Sequence, residues 1–176
     1  MDLRSARRED VAALTRLIER SVTALMGAAL VPDELPLWLA HVFGVDTQLI
    51  DDGTYYVVDG AEGLAAAGGW GGRATLYGGD ARKAGTLAPR LDPARDAARI
   101  RAFYVDPDHA RRGLGSRILA HAEAAARAAG FRRMELLATP TGEPLYARHG
   151  YVEVAREEVK LRNGSSYAWP RMEKVL

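Results

Sequence analysis

One stretch constrains the fold of this chain more than any other: Arg99 to Gly130, reading R-I-R-A-F-Y-V-D-P-D-H-A-R-R-G-L-G-S-R-I-L-A-H-A-E-A-A-A-R-A-A-G. Ile100 to Val105 carries branched and aromatic side chains that suit a pleated, buried surface, which predicts a strand. Asp106-Pro107-Asp108 ends it, because proline removes a ladder donor and aspartates bond to their own backbone in turns. Ile118, Leu119, Ala122, Ala125, Ala126 and Ala129 then recur at helical spacing until Gly130, which is placed to cap a helix. The first amides of such a helix lack intrahelical partners and carry the positive end of its dipole, so the turn at Arg111-Arg112-Gly113-Leu114-Gly115-Ser116 is a ready anion site. Gly113 and Gly115 on their own are equally consistent with a tight turn and nothing more. No G-x-x-x-x-G-K-[ST] is present and no G-x-G-x-x-G follows the first strand, which sets aside two known phosphate loops.

Periodicity organises the rest. Leu3 to Ala6 reads as a short edge strand. Val11, Leu14, Leu17, Ile18 and Leu25 then form the apolar face of a first helix, and Pro32-Asp33-Glu34 opens a second carrying Leu35, Leu37, Trp38, Leu39, Val42 and Phe43. From Thr47 the period changes. Thr54 to Val58 and Leu64 to Trp70 read as a hairpin around Asp59 to Gly63, with Gly68, Gly69, Gly71 and Gly72 allowing a backbone or a ligand to approach. After Tyr77-Gly78-Gly79-Asp80 the segment to Ala97 has no clean period, contains Pro89 and Pro93, and reads as a long loop. Arg133 to Ala138 is a strand and Thr141 to Arg148 a short helix. Tyr151 to Leu161 and Tyr167 to Val175 are strands joined by a turn on Asn163-Gly164. The order β, two helices, β hairpin, β, α, β, α, β hairpin makes a mixed α/β layer, and 176 residues without repeat or linker suit a single domain over 1–176.

Composition excludes several function classes. There is no cysteine, which removes disulfides, thiolate catalysis and Cys-based zinc sites, and no metal centre is expected. A net charge of +1 offers neither a basic stripe for nucleic acid nor a polybasic tract for a membrane surface. Met1-Asp2-Leu3-Arg4-Ser5 carries charge where a signal peptide needs an apolar run, so a cytoplasmic protein is the expectation.

Strand, A-R-R-G-L-G-S, alanine-rich helix, strand and then Leu145-Tyr146-Ala147-Arg148-His149-Gly150-Tyr151 resemble the acetyl-coenzyme A core of the GNAT superfamily of N-acetyltransferases. The family's [FL]-Y-x-x-x-G-[FY] segment is matched in full. Its [QR]-x-x-G-x-[GA] loop is matched except at Ala110, where the family has Gln or Arg; because that loop works through backbone amides, its cradle should survive the change. The resemblance implies a mixed, mostly antiparallel sheet flanked by helices, with acetyl-coenzyme A bound at splayed central strands. It also implies direct transfer of the acetyl group to a primary amine of a small molecule or an exposed amino group, in a monomer or a homodimer. A non-catalytic acyl-coenzyme A-binding or sensor domain of the same fold is the alternative.

Roles follow from the resemblance residue by residue. Amides from Arg111 to Ser116, including Leu114, would hold the pyrophosphate, and the backbone of Phe103, Tyr104 and Val105 would pair with the pantetheine arm. Arg111, Arg112 and Arg117 either add charge to phosphates or are solvated surface residues. Tyr146 would lie near the sulfur and protonate the departing thiolate. Thr139 stands where the family often has Asn. No carboxylate occupies the central strand at the place some members use for a base; Asp80, Asp96, Glu135, His41 and His109 remain, and water is the favoured proton acceptor. Strand alternation puts Arg99, Arg101, Phe103 and Val105 on one face. The two arginines either pair with internal acids such as Glu135 or receive a carboxylate on the acceptor. Trp38 is either a lid over the acceptor or core.

Overall fold

In the computed structural model, which describes residues 1–83 and 87–176, the chain lays down β1 (Leu3–Ser5), α1 (Val11–Ser21), α2 (Leu35–His41), α3 (Thr47–Asp51), β2 (Tyr55–Asp59), β3 (Leu64–Gly71), α4 (Asp80–Lys83), β4 (Ala98–Val105), α5 (Leu114–Ala128), β5 (Arg133–Leu137), α6 (Glu143–Arg148), β6 (Val152–Lys160) and β7 (Ser166–Val175). The strands form one sheet in the order β1-β2-β3-β4-β5-β7-β6. Every neighbouring pair is antiparallel except β4 and β5, which run parallel because α5 crosses between them. That parallel pair is registered only at Ala98↔Met134 and Arg99↔Glu135. Beyond Arg99 the two strands part, and the sheet opens at its centre.

Each face of the sheet has its own core. On one face α1 and α2 bury Leu14, Leu17, Ile18 and Trp38 against Tyr55, Val57 and Trp169. On the other, α5 buries Ile118, Leu119, Ala122 and Ala126, its alanines letting it lie close to the strands. Gly68 of β3 is part of that closeness: a Cβ there would stand 2.8 Å from the Phe103 ring and 2.9 Å from Ile118. At Gly69 a Cβ would run into the Thr54 carbonyl. Both glycines therefore serve packing, and neither lines the cavity described below.

Several local expectations need correction. The first helix does not run on to Leu25; it gives way after Ser21 to a π-helical turn over Val22–Met26, which turns Val22 and Met26 inward and leaves Leu25 37 % exposed. The second helix begins as a 3₁₀ turn at Pro32–Glu34. Buried Glu34 is held there by Asn163, Ser165 and Tyr167, which tie that turn to the β6–β7 hairpin. The helices α3 and α4 were not legible as periods, since each is under two turns. The segment read as a long loop takes in most of α4, and its Arg90 forms an isolated bridge with Arg73 ahead of it; residues 84–86 lie outside the described residues. No helix among the described residues is long and apolar enough to cross a membrane.

The β3–β4 pairing contains the most consequential departure. Ala67 faces Tyr104 and Gly69 faces Arg101, so Ala102 and Phe103 together oppose Gly68 alone. This is a β-bulge, with Ala102 in the left-handed region at φ 55° and its carbonyl accepting the Tyr55 hydroxyl at 3.2 Å. The extra residue breaks the alternation. Arg101 and Tyr104 project to the α1/α2 face, whereas Phe103 and Val105 pack toward α5. Arg101 and Phe103 thus do not share a face, as uniform pleating would have required.

Candidate functional site

The turn before α5 is built by local backbone chemistry. Asp106 accepts the Asp108 N–H at 3.0 Å, and its carboxylate is braced by Arg20 at 2.7 Å, which holds it below the usual carboxylate range. Arg111 (φ 62°) and Gly113 (φ 79°) are both left-handed and bend the chain into the helix. Among the described residues, no backbone or side-chain group accepts a hydrogen bond from the N–H groups of Arg111 through Ser116. Ala110, Arg111, Gly113, Leu114, Gly115 and Ser116 all line a cavity of about 570 Å³. A Cβ on Gly115 would press to 3.2 Å on Leu145, so the missing side chain keeps both the helix start and its packing open. Unpaired amides and a bare backbone at a helix start fit a pyrophosphate.

The arginines of the turn divide. Arg111 lines the cavity, but Arg112 does not, and the Arg117 guanidinium donates to the Met1 carbonyl at 2.8 Å on the exterior. The structure therefore corrects the expectation for Arg117, whose guanidinium is engaged by the Met1 carbonyl ahead of β1 and does not line the cavity. Arg148 of α6 lines the cavity instead and was not singled out from the sequence. Its neighbour His149 meets Ser116 Oγ at 2.8 Å, joining α6 to the start of α5.

From this turn the cavity runs to the place where β4 and β5 part, and it is lined from both faces of the sheet. Phe103, Tyr104 and Val105 all contribute to its wall. Tyr146 stands there at 7 % exposure, edge-on to Phe103 and Tyr151 with centroids 6.1 and 5.8 Å away. Burial, with a smaller push from the nearby Tyr104, raises its phenol above the ordinary tyrosine value. Among the described residues its hydroxyl makes no hydrogen bond, and the residue lines the cavity. Thr139 also lines the wall, its Oγ1 accepting the Gly142 N–H at 3.1 Å to fix the turn that leads into α6.

The charged residues once open to two readings are engaged by internal partners. Arg99 lies against Glu135, does not line the cavity, and shares that carboxylate with Arg171 at 3.6 Å. Arg101 lines the cavity but pairs with Asp46, not Glu135, at 2.7 Å and donates to the Gly78 carbonyl. Asp46 is completely buried and also meets Lys83. Trp38 is 0 % exposed, stacked behind Trp169 and Phe43 at 5.0 and 5.7 Å, and belongs to the core; the cavity is walled by those two rings in front of it. None of Asp80, Asp96, Glu135, His41 or His109 reaches the cavity. Asp80 receives the Thr47 N–H, Asp96 the Asp92 N–H, and His109 sits 3.6 Å from Asp106. Among the described residues no three His, Asp or Glu side chains gather where a metal ion could sit.

Residues 51–153 match the family model described as an acetyltransferase (GNAT) domain. Curated proteins contain no sequence match. Among solved structures, a GCN5-related N-acetyltransferase from Rhodopseudomonas palustris is 20 % identical with a TM-score of 0.71, over 99 % of this chain and 95 % of that one. The PaiA N-acetyltransferase of Thermoplasma acidophilum, solved with coenzyme A, is 11 % identical at TM-score 0.67 over 99 % and 98 %. The protein yncA of Salmonella typhimurium, solved with its cofactor acetyl-CoA, is 19 % identical at 0.64 over 100 % and 94 %. At these identities the likeness is one of fold.

Proposed function

The chain belongs to the acetyltransferase (GNAT) domain family, and from that premise we propose that it transfers the acetyl group of acetyl-coenzyme A directly to a primary amine. The observation that carries this reading is the cavity that joins unpaired helix-start amides at one end to the parted strands and Tyr146 at the other. Amides from Arg111 to Ser116 bind the pyrophosphate, with Arg111 and Arg148 adding charge. The bulged backbone at Phe103 to Val105, left without a β5 partner, pairs with the amides of the pantetheine arm as an added strand would. When bound, acetyl-coenzyme A supplies a thioester whose carbonyl carbon accepts the amine nitrogen as its C–S bond breaks.

Tyr146 holds the proton for the departing sulfur. Its raised pKa keeps the phenol protonated across the physiological range, and its ring is fixed by Phe103 and Tyr151. The acceptor's own proton leaves to water, since no carboxylate or imidazole lines the cavity among the described residues. The test is release of free thiol from acetyl-coenzyme A, followed across a panel of amines beside a no-acceptor control. Amine-dependent release is the expected result, and Gly115→Asp, which puts a carboxylate among the phosphate-binding amides, should abolish it together with calorimetric acetyl-coenzyme A binding while circular dichroism stays native.

A further inference from the structure

The cavity has a second half that the phosphate turn and Tyr146 do not use. On the α1/α2 face of the sheet, Val22 and Met26 of the π-helical turn meet Phe43, Tyr77, Tyr104 and Trp169 around a basin that continues the opening between β4 and β5. The rings support one another: Phe43 lies edge-on to Tyr104 at 6.5 Å and stacks on Trp169 at 6.2 Å. Charge is distributed just as unevenly. Among the described residues the lining of the whole cavity contains three arginines, Arg101, Arg111 and Arg148, and no Asp, Glu, His or Lys. Arg101, the one that borders the basin, is already neutralised by Asp46 and occupied by the Gly78 carbonyl.

We propose that the acceptor is an apolar monoamine, one primary amino group on an aromatic or branched hydrocarbon body, bearing neither a carboxylate nor a second ammonium. This rests on the acetyltransferase reading above. The apolar walls reward burial of a hydrocarbon body and charge a desolvation cost to any polar group left unpaired. A second ammonium would find no counter-ion there, since no acidic side chain lines the cavity among the described residues. A carboxylate would have to draw Arg101 from Asp46 and from the Gly78 carbonyl, leaving a fully buried aspartate with Lys83 as its one remaining cation. The aromatic rings supply flat contact area that is already held in place, which favours a planar body.

The experiment compares kcat/KM for three sets of acceptors on the wild-type protein: phenylalkylamines and branched alkylamines of increasing length, α,ω-diamines of matched length, and free amino acids. The expected result is that the apolar monoamines lead and gain about three- to fourfold for each added methylene until the basin is full. Leu25→Glu, at the half-exposed rim of the same basin, should narrow the ratio of monoamine to diamine by about two- to fivefold, the effect of a partly solvated ion pair. Diamines or amino acids leading the panel, or an unchanged ratio in Leu25→Glu, overturns the acceptor assignment and leaves acetyl transfer standing. Calorimetric binding of acetyl-coenzyme A with no amine-dependent thiol release from any of the three sets overturns the transferase reading itself.

Discussion

At the scale of single residues, the site asks each side chain for one property. In the proposed reaction Tyr146 offers a proton from a fixed position, so Tyr146→Phe, which keeps the ring between Phe103 and Tyr151, should leave acetyl-coenzyme A affinity nearly unchanged and lower kcat. A general acid is typically worth about 10²–10⁴-fold, and a thiolate is a tolerable leaving group, so a loss near about 10²-fold is expected. Single-turnover rates check it, and an unchanged rate would reduce Tyr146 to a packing residue. Because burial raises its pKa, the wild-type rate should show no fall through the ordinary tyrosine range near pH 10. These residues were legible in the sequence because their signals are local: a glycine turn between a strand and a helix, and a tyrosine four residues before a glycine. Asp46, Arg148 and His149 were not. Asp46 acquires its meaning only from Arg101, 55 positions away in the chain, and His149 only from Ser116.

Among elements, β4 does more than carry residues to the site. Its bulge at Ala102 sends Arg101 and Tyr104 to one face and Phe103 and Val105 to the other, so both halves of the cavity draw on one strand. Strand alternation read from sequence assumes an unbroken pleat, and nothing in R-I-R-A-F-Y-V marks where a residue is inserted; the strand was therefore legible and its facing was not. Ala102 tolerates φ 55° at some cost, and a β-branched side chain there would be strained further. Ala102→Val should destabilise the protein by about 1–3 kcal/mol, whereas Ala102→Gly should change stability by less. Urea denaturation of the three proteins measures the difference. A similar blindness applied to the first helix, where the apolar spacing of Leu25 suited a continuous α-helix and the π-helical turn at Val22–Met26 exposed it instead.

Over the whole molecule, ion pairs within and between segments titrate together in acid. Asp10 is held down by Arg4, Asp52 by Arg73 and Asp106 by Arg20, each with a carboxyl below its ordinary value in the folded chain. A carboxyl that titrates lower when folded contributes fully above its unfolded value, about 3.9, and that contribution disappears as pH falls through the folded values. Stability should accordingly be flat from neutrality to about pH 5 and decline below about pH 4. In Asp106→Asn the decline should be shallower, which thermal unfolding at stepped pH would register. Topology was the easiest property to read at this scale, because element order alone indicates a mixed sheet, while the parting of β4 from β5 is visible only in their register. That parting has a kinetic consequence. If the proposed amine acetylation holds, a cavity lined from both faces of the sheet would let donor and acceptor sit there together, so initial-rate lines at fixed concentrations of one substrate should intersect, and an excess of amine should not compete with the donor for entry.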